Sequence, residues 1–274
     1  MLESTQHHFN SFLTLTYRDE DLPFVNDTSS SLPTLRRKDA VDFMKRFRKF
    51  IEPHKIRQYV VGEYGDQSNR PHYHAAIFGW PSCAYGQTRI DLRRQPQPLC
   101  CENCRTIYNL WGHGNVYVGE LTPHSAAYVA GYITKKLNRQ NPELHGREPE
   151  FGSPSRRPGL GYSAMWDLSS ELLKLDVLDS QRDVPSALRY GAKKERPLGR
   201  YLQQKLRVMC GKDEKAPRNF EREAEMLDLL TRTIQNAKNK EGPLSIKKLI
   251  QADSEGEVNQ TVTRWQIHHQ RKRL

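Results

Sequence analysis

Residues 72–79, HYHAAIFG, constrain this chain more than any other stretch, because Ala75 and Ile77 alternate with Ala76 and Phe78. A strand points successive side chains to opposite faces, so this one is apolar on both and belongs in the middle of a sheet with both faces covered. Its start carries two histidines one residue apart, His72 and His74, whose imidazoles a strand directs to the same face. Such a pair is either two half-buried, hydrogen-bonded histidines or two nitrogen ligands for one cation.

The neighbouring segments build a sheet around it. IRQYVVGEYG precedes it across DQSNRP, a connection short enough for an antiparallel hairpin. SFLTLTY (11–17) and NVYVGEL (115–121) read as further strands. KDAVDFMKRFRKFI (38–51) places Ala40, Met44, Phe47 and Ile51 at helical spacing, with Lys45, Arg46, Arg48 and Lys49 on an outer basic face. A short helix ends at Trp111, and Thr122 with Pro123 supplies an N-cap and first-turn proline for a helix through Leu137.

The order strand, helix, strand, strand, helix, strand, helix predicts an α+β fold of the ferredoxin-like or RNA-recognition type, an antiparallel sheet with helices on one side. Residues 1–10 read as an N-terminal tail and 11–140 as the domain. From 141 to 274 a basic, mainly helical region without a strand pattern is expected, ending in the solvated basic stretch HHQRKRL.

Lysine and arginine total 43 against 32 acidic residues, a formal charge of +11, which points to a polyanionic partner, nucleic acid first. No stretch approaches the ~18 apolar residues of a membrane span, and MLESTQHHFNS lacks the order of a secretory signal. A cytoplasmic protein without a membrane partner is expected. Five cysteines, three of them in CCENC, do not form the spaced pairs of a disulfide framework. Cys101 and Cys104 make one Cys-x-x-Cys, with Cys83, Cys100 and His113 as further candidate zinc ligands. A single pair favours reduced thiols in an inserted loop over structural zinc.

Two imidazoles on one strand face and a carboxylate from the next strand can complete a three-ligand metal site with open positions. Glu63 is the carboxylate candidate, and Asp66 in the connecting turn is the alternative. In HSAAYVAGYITKKL, Ala126, Val129, Ala130, Ile133 and Leu137 form an apolar stripe, whereas Tyr128 and Tyr132, one turn apart, fall on another face near Lys135 and Lys136. A phenol ionises near ~10 and needs help to attack phosphorus. Lysines favour the phenolate, and a divalent cation at the phosphate lowers the barrier further. The bland alternative is a pair of tyrosines that stack on bases without chemistry. His124, on the tyrosine face, carries no special expectation.

FLTLTY, GEYG followed by RPHYHAAIFG, and YVAGYITKK occur in an order that resembles the three motifs of rolling-circle replication initiators of the HUH (His, hydrophobe, His) endonuclease superfamily. The match is strongest to those of the microviruses, of gokushovirus type. The resemblance implies a nickase for single-stranded origin DNA that stays linked to the 5′ phosphate through tyrosine, leaves a 3′ hydroxyl for host DNA polymerase, and later religates. It implies Mg²⁺ or Mn²⁺ held by Glu63, His72 and His74, with Tyr128 and Tyr132 as alternating nucleophiles. EPEFGSPSRRPGLGY also resembles a segment of these phage proteins, and Arg156 and Arg157 suit phosphate contacts. No GxxxxGK[ST] occurs, so unwinding would fall to a host helicase.

Overall fold

The structure is a computed structural model describing residues 1–27, 32–65, 68–88, 100–137, 144–175, 178, 183–189 and 195–216, without the side chains of 132–137 and 195. The chain divides into two compact units, Met1–Glu214 and Lys215–Leu274, and only residues 215 and 216 of the second are among those described.

The first unit begins β1 (Asn10–Thr16), α1 (Arg37–Phe50), β2 (Arg57–Tyr64), β3 (Pro71–Phe78), α2 (Glu102–Trp111), β4 (Val116–Glu120), α3 (Pro123–Leu137). These are the seven elements expected, in the expected order. The strands form an antiparallel sheet in the order β4-β1-β3-β2, extended at β2 by β5 (Phe151–Pro154). The doubly apolar strand β3 is the central one, between β1 and β2.

Alternation divides the sheet into two faces with different tasks. Leu13, Leu15, Val60, Tyr73, Ala75, Ile77, Val116 and Val118 pack against Phe43, Met44 and Phe47 of α1 and Ile107 and Trp111 of α2, forming the main core. Trp111 is fully buried, and its indole N–H donates to the Thr16 carbonyl at 2.9 Å. Its burial therefore leaves no unpaired donor. The basic residues of α1 are exposed, as its periodicity predicts. These two helices make the layer expected on one side.

Helix α3 packs on the opposite face, where Val129 is buried against Phe12 and Val61. Its start follows from local chemistry: the Thr122 hydroxyl accepts the Ser125 N–H at 3.1 Å, and Ser125 Oγ accepts the Thr122 N–H at 2.8 Å. The two residues cap each other ahead of Pro123.

The expectation of a strand-free region after residue 140 is corrected, because β5 completes the sheet. Gly62 makes this possible, since a Cβ there would lie 2.6 Å from the Phe151 ring. Phe151 thus packs over a position only glycine leaves open, and a four-residue edge strand ending in proline gives little period-2 signal. Beyond it, α4 (Tyr162–Lys174), a small hairpin of β6 (Ala187–Arg189) and β7 (Glu195–Pro197), and α5 (Gly199–Met209) gather a second cluster around Met165 and Leu206.

The amino-terminal residues are not a loose tail either. A turn of 3-10 helix at Leu2–Gln6 packs on α4, and buried Glu3 accepts the Gly161 N–H at 2.6 Å and pairs with Arg57.

Trp111→Ala should lower the unfolding free energy by about 3–5 kcal/mol in chemical denaturation, through lost burial and the cavity left behind. Lys45→Ala on the exposed face of α1 should change it by less than about 0.5 kcal/mol.

Candidate functional site

The β2–β3 register sets Glu63 opposite His72 and Val61 opposite His74, so the carboxylate and both imidazoles share one face. Glu63 Oε1 lies 2.7 Å from His72 Nε2 and 3.2 Å from His74 Nε2. The three candidate ligand atoms all lie within 4.8 Å of one another. Glu63 is 3% and His74 5% exposed, while His72 is half-buried at the rim.

The other imidazole nitrogens are held from behind. His72 Nδ1–H donates to the Arg70 carbonyl at 3.0 Å, and His74 Nδ1 is 3.0 Å from the Thr14 hydroxyl. Both Nε2 atoms are thereby turned to the common point, the usual outer support of histidine ligands. With Nδ1–H committed to Arg70, a neutral His72 presents its Nε2 lone pair to a carboxylate oxygen. That approach is attractive only with a proton or a cation between them. Glu63 Oε2 is buried without a hydrogen-bond partner among the described residues, an orphaned acceptor that a cation would satisfy. The set of two nitrogens and one carboxylate therefore fits a divalent ion.

The electrostatics agree with the geometry. Burial works to raise the Glu63 pKa, but hydrogen bonds from His72 and His74 outweigh it and hold the carboxyl below its ordinary range. Burial lowers the His74 pKa despite the opposing pull of Glu63, which leaves the ring neutral and able to ligate at neutral pH.

Helix α3 crosses this same face. The Tyr128 ring stands edge-on to His74 at 5.2 Å and to Phe12 at 6.4 Å, and the residue stays 44% exposed. It leans over the histidines while keeping access to solvent, so the outward presentation expected from helix spacing is only half the result. The apolar stripe is also narrower than expected: Val129 is buried, Ala126 is half-buried and Ala130 is exposed.

Tyr132, Lys135 and Lys136 are in the α3 backbone, Tyr132 one turn beyond Tyr128, but their side chains lie outside the described residues. Asp66 lies outside them too. His124 is exposed at the start of α3. Arg156 and Arg157 are exposed after β5, beside the Arg57 end of β2 and about 20 Å along that strand from Glu63. They are not brought to the histidines.

Sequence reasoning missed Thr14 and Phe12, which flank His74 from β1, the latter with rings stacked at 5.6 Å. Only the β1–β3 register pairs Thr14 with His74, although the Thr-Leu-Thr alternation already set Thr14 and Thr16 on one face.

Residues 10–137 match the family of replication-associated proteins of the ORF2 type. They belong to that family. The chain is 34% identical over 164 residues to "Replication-associated protein ORF2" of Spiroplasma virus 4, covering 59% of this chain and 49% of the relative. It is 36% identical over 167 residues to "Replication-associated protein VP4" of Bdellovibrio phage phiMH2K, covering 58% and 49%, and 33% identical over 139 residues to "Replication-associated protein ORF4" of Chlamydia phage 1, covering 50% and 33%. The chain spans half or less of the length of these relatives. No solved structure matches it. The resemblance to microvirus replication proteins carried by the three motifs is borne out, and this replication-associated domain contains the whole Glu63, His72, His74 and Tyr128 constellation.

In calorimetric titration the protein should bind Mn²⁺, Glu63→Ala should abolish that binding, and Thr14→Val should weaken it about 10–100-fold by releasing the support of His74. Affinity should fall as the pH drops below the ordinary imidazole value of ~6.5, because protonation takes the ligand lone pairs; it should be flat above it.

Proposed function

We propose that this protein initiates rolling-circle replication of a single-stranded phage genome by nicking origin DNA through tyrosine transesterification. The observation that carries the reading is the Tyr128 ring seated beside His74, over the point where Glu63, His72 and His74 converge. A nucleophile and a candidate cation site on one sheet face are the two parts that phosphodiester cleavage by a phenol requires.

Each residue then has a task. Glu63, His72 and His74 hold Mg²⁺ or Mn²⁺. When bound, the ion neutralises a non-bridging oxygen of the scissile phosphate and makes phosphorus more electrophilic. The Tyr128 phenol loses its proton to solvent and its oxygen attacks phosphorus. The bond to the 3′ oxygen breaks, that oxygen leaves with the electron pair, and it is protonated to a 3′ hydroxyl for host polymerase to extend. The 5′ phosphate stays on the tyrosine. Lys135 and Lys136 favour the phenolate and grip the backbone, and Tyr132, one turn away, attacks in a second round to religate the displaced strand.

Beside Tyr128, an open groove of about 540 Å³ runs between Phe12, Tyr85, Gln87, Tyr117 and Ser125. Its aromatic lining suits stacking of the bases that flank the cut. Arg156 and Arg157, remote from the histidines, serve as distant phosphate contacts. No described helix is long and apolar enough to cross a membrane. The protein works on DNA in the host cytoplasm, where a host helicase opens any duplex.

The test is incubation with Mn²⁺ and a single-stranded origin oligonucleotide labelled at its 3′ end. The label should migrate with the protein after denaturation, and EDTA or the Tyr128→Phe, Tyr132→Phe double substitution should prevent it. Salt-sensitive binding that ignores chelators, with no adduct, would leave a binding module without chemistry and would sink the proposal.

A further inference from the structure

A second group of metal-binding side chains lies away from the histidines. Four sulfurs meet at one point: Cys83 after β3, Cys100, Cys101 at the N-cap of α2, and Cys104 in its first turn. Their separations are 3.6 Å for Cys83–Cys100, 3.6 Å for Cys83–Cys101, 3.4 Å for Cys100–Cys104 and 3.5 Å for Cys101–Cys104. All four Sγ atoms lie within 4.8 Å of one another.

A disulfide would bring two of them to about 2.05 Å, and all four are free. A tetrahedron with Zn–S bonds of ~2.3 Å has edges of about 3.8 Å. The observed separations fit the tetrahedron with a small expansion. Packing alone gives no reason for four cysteines from two segments to turn their sulfurs inward to a shared centre.

We propose that Cys83, Cys100, Cys101 and Cys104 hold a structural zinc ion that ties the segment after β3 to the amino end of α2. Four protein sulfurs fill a tetrahedral shell, so no position stays open for water or substrate and the ion is structural. Thiolates select zinc over the hard ions suited to Glu63, His72 and His74, so the two sites do not compete for one metal.

The surroundings suit a four-thiolate centre with excess negative charge. The backbone N–H groups of Ala84 and Cys104 reach the Cys101 sulfur, and that of Tyr85 reaches Cys83. The Thr88 hydroxyl lies 3.2 Å from Cys104 Sγ. The partial positive charge at the start of α2 faces the same sulfurs. Such donors satisfy lone pairs that zinc leaves over.

The centre also explains how residues 83–88 are held against β4. Thr88 N–H donates to the Val118 carbonyl at 3.0 Å, Gln87 bridges to Gly119, and the Tyr117 hydroxyl donates to Gln87 Oε1 at 2.7 Å. Tyr85 and Gln87, from this segment, form one wall of the groove beside Tyr128. Zinc would fix one end of that wall.

Elemental analysis of the full chain, purified reduced and without chelator, should find about one zinc per chain, released by a mercurial thiol reagent. Cobalt(II) in its place should give a thiolate-to-metal charge-transfer band and intense tetrahedral d–d absorption. Cys104→Ser should lose both; because a buried serine can itself unfold the protein, Cys101→Ser at the half-buried position is made in parallel and should also lose them. His72→Ala, His74→Ala should keep both, which separates this centre from the proposed nicking site. Protein with no zinc, with iron in its place, with a disulfide among the four in reduced preparations, or with an unchanged cobalt spectrum in Cys101→Ser would overturn the proposal.

Discussion

Everything at the candidate site depends on the register between β2 and β3. Because side chains alternate along a strand, a slip of one residue would turn His72 and His74 into the helical core and bring Tyr73 and Ala75 onto the site face. What prevents the slip is the same feature that makes β3 the central strand: Tyr73, Ala75 and Ile77 are buried against α1 and α2. The hydrophobic effect that forms the core thus aims the imidazoles. A metal site on such a strand is positioned by packing on the far side of the sheet and by Thr14 and the Arg70 carbonyl at close range.

The two faces divide the work. One is closed by α1 and α2 and is apolar. The other is only partly covered by α3, which buries Val129 and leaves Tyr128 between His74 and solvent. A nucleophile for a polymer substrate has to be rigid enough to aim and open enough to be reached. A short apolar contact beneath an exposed phenol meets both needs. The groove beside it, walled by β4 and by the segment that starts at Cys83, extends the same surface.

Much of this was legible in the sequence for identifiable reasons. β3 was fixed by a doubly apolar pattern, α1 by its period, and α3 by Thr122 and Pro123. Glu63 could be paired with the histidines because a hairpin leaves few registers. What escaped had no local signature. β5 depends on Phe151 packing over Gly62, a contact between residues 89 positions apart. Thr14 acts only across the sheet. The cysteines show one Cys-x-x-Cys in sequence, and only the fold returns Cys83 to the start of α2. Tyr128 was placed off the apolar stripe correctly, but its lean toward His74 comes from the angle at which α3 crosses the strands, which periodicity does not specify.

The central claim is that one carboxylate and two imidazoles from adjacent strands form a single cation site under Tyr128. Anomalous diffraction from crystals soaked in Mn²⁺ tests it most directly. The account predicts one strong peak within about 2.0–2.3 Å of Glu63 carboxylate oxygen and of both His72 and His74 Nε2. A peak held by other residues, or none at these three under saturating Mn²⁺, would contradict it.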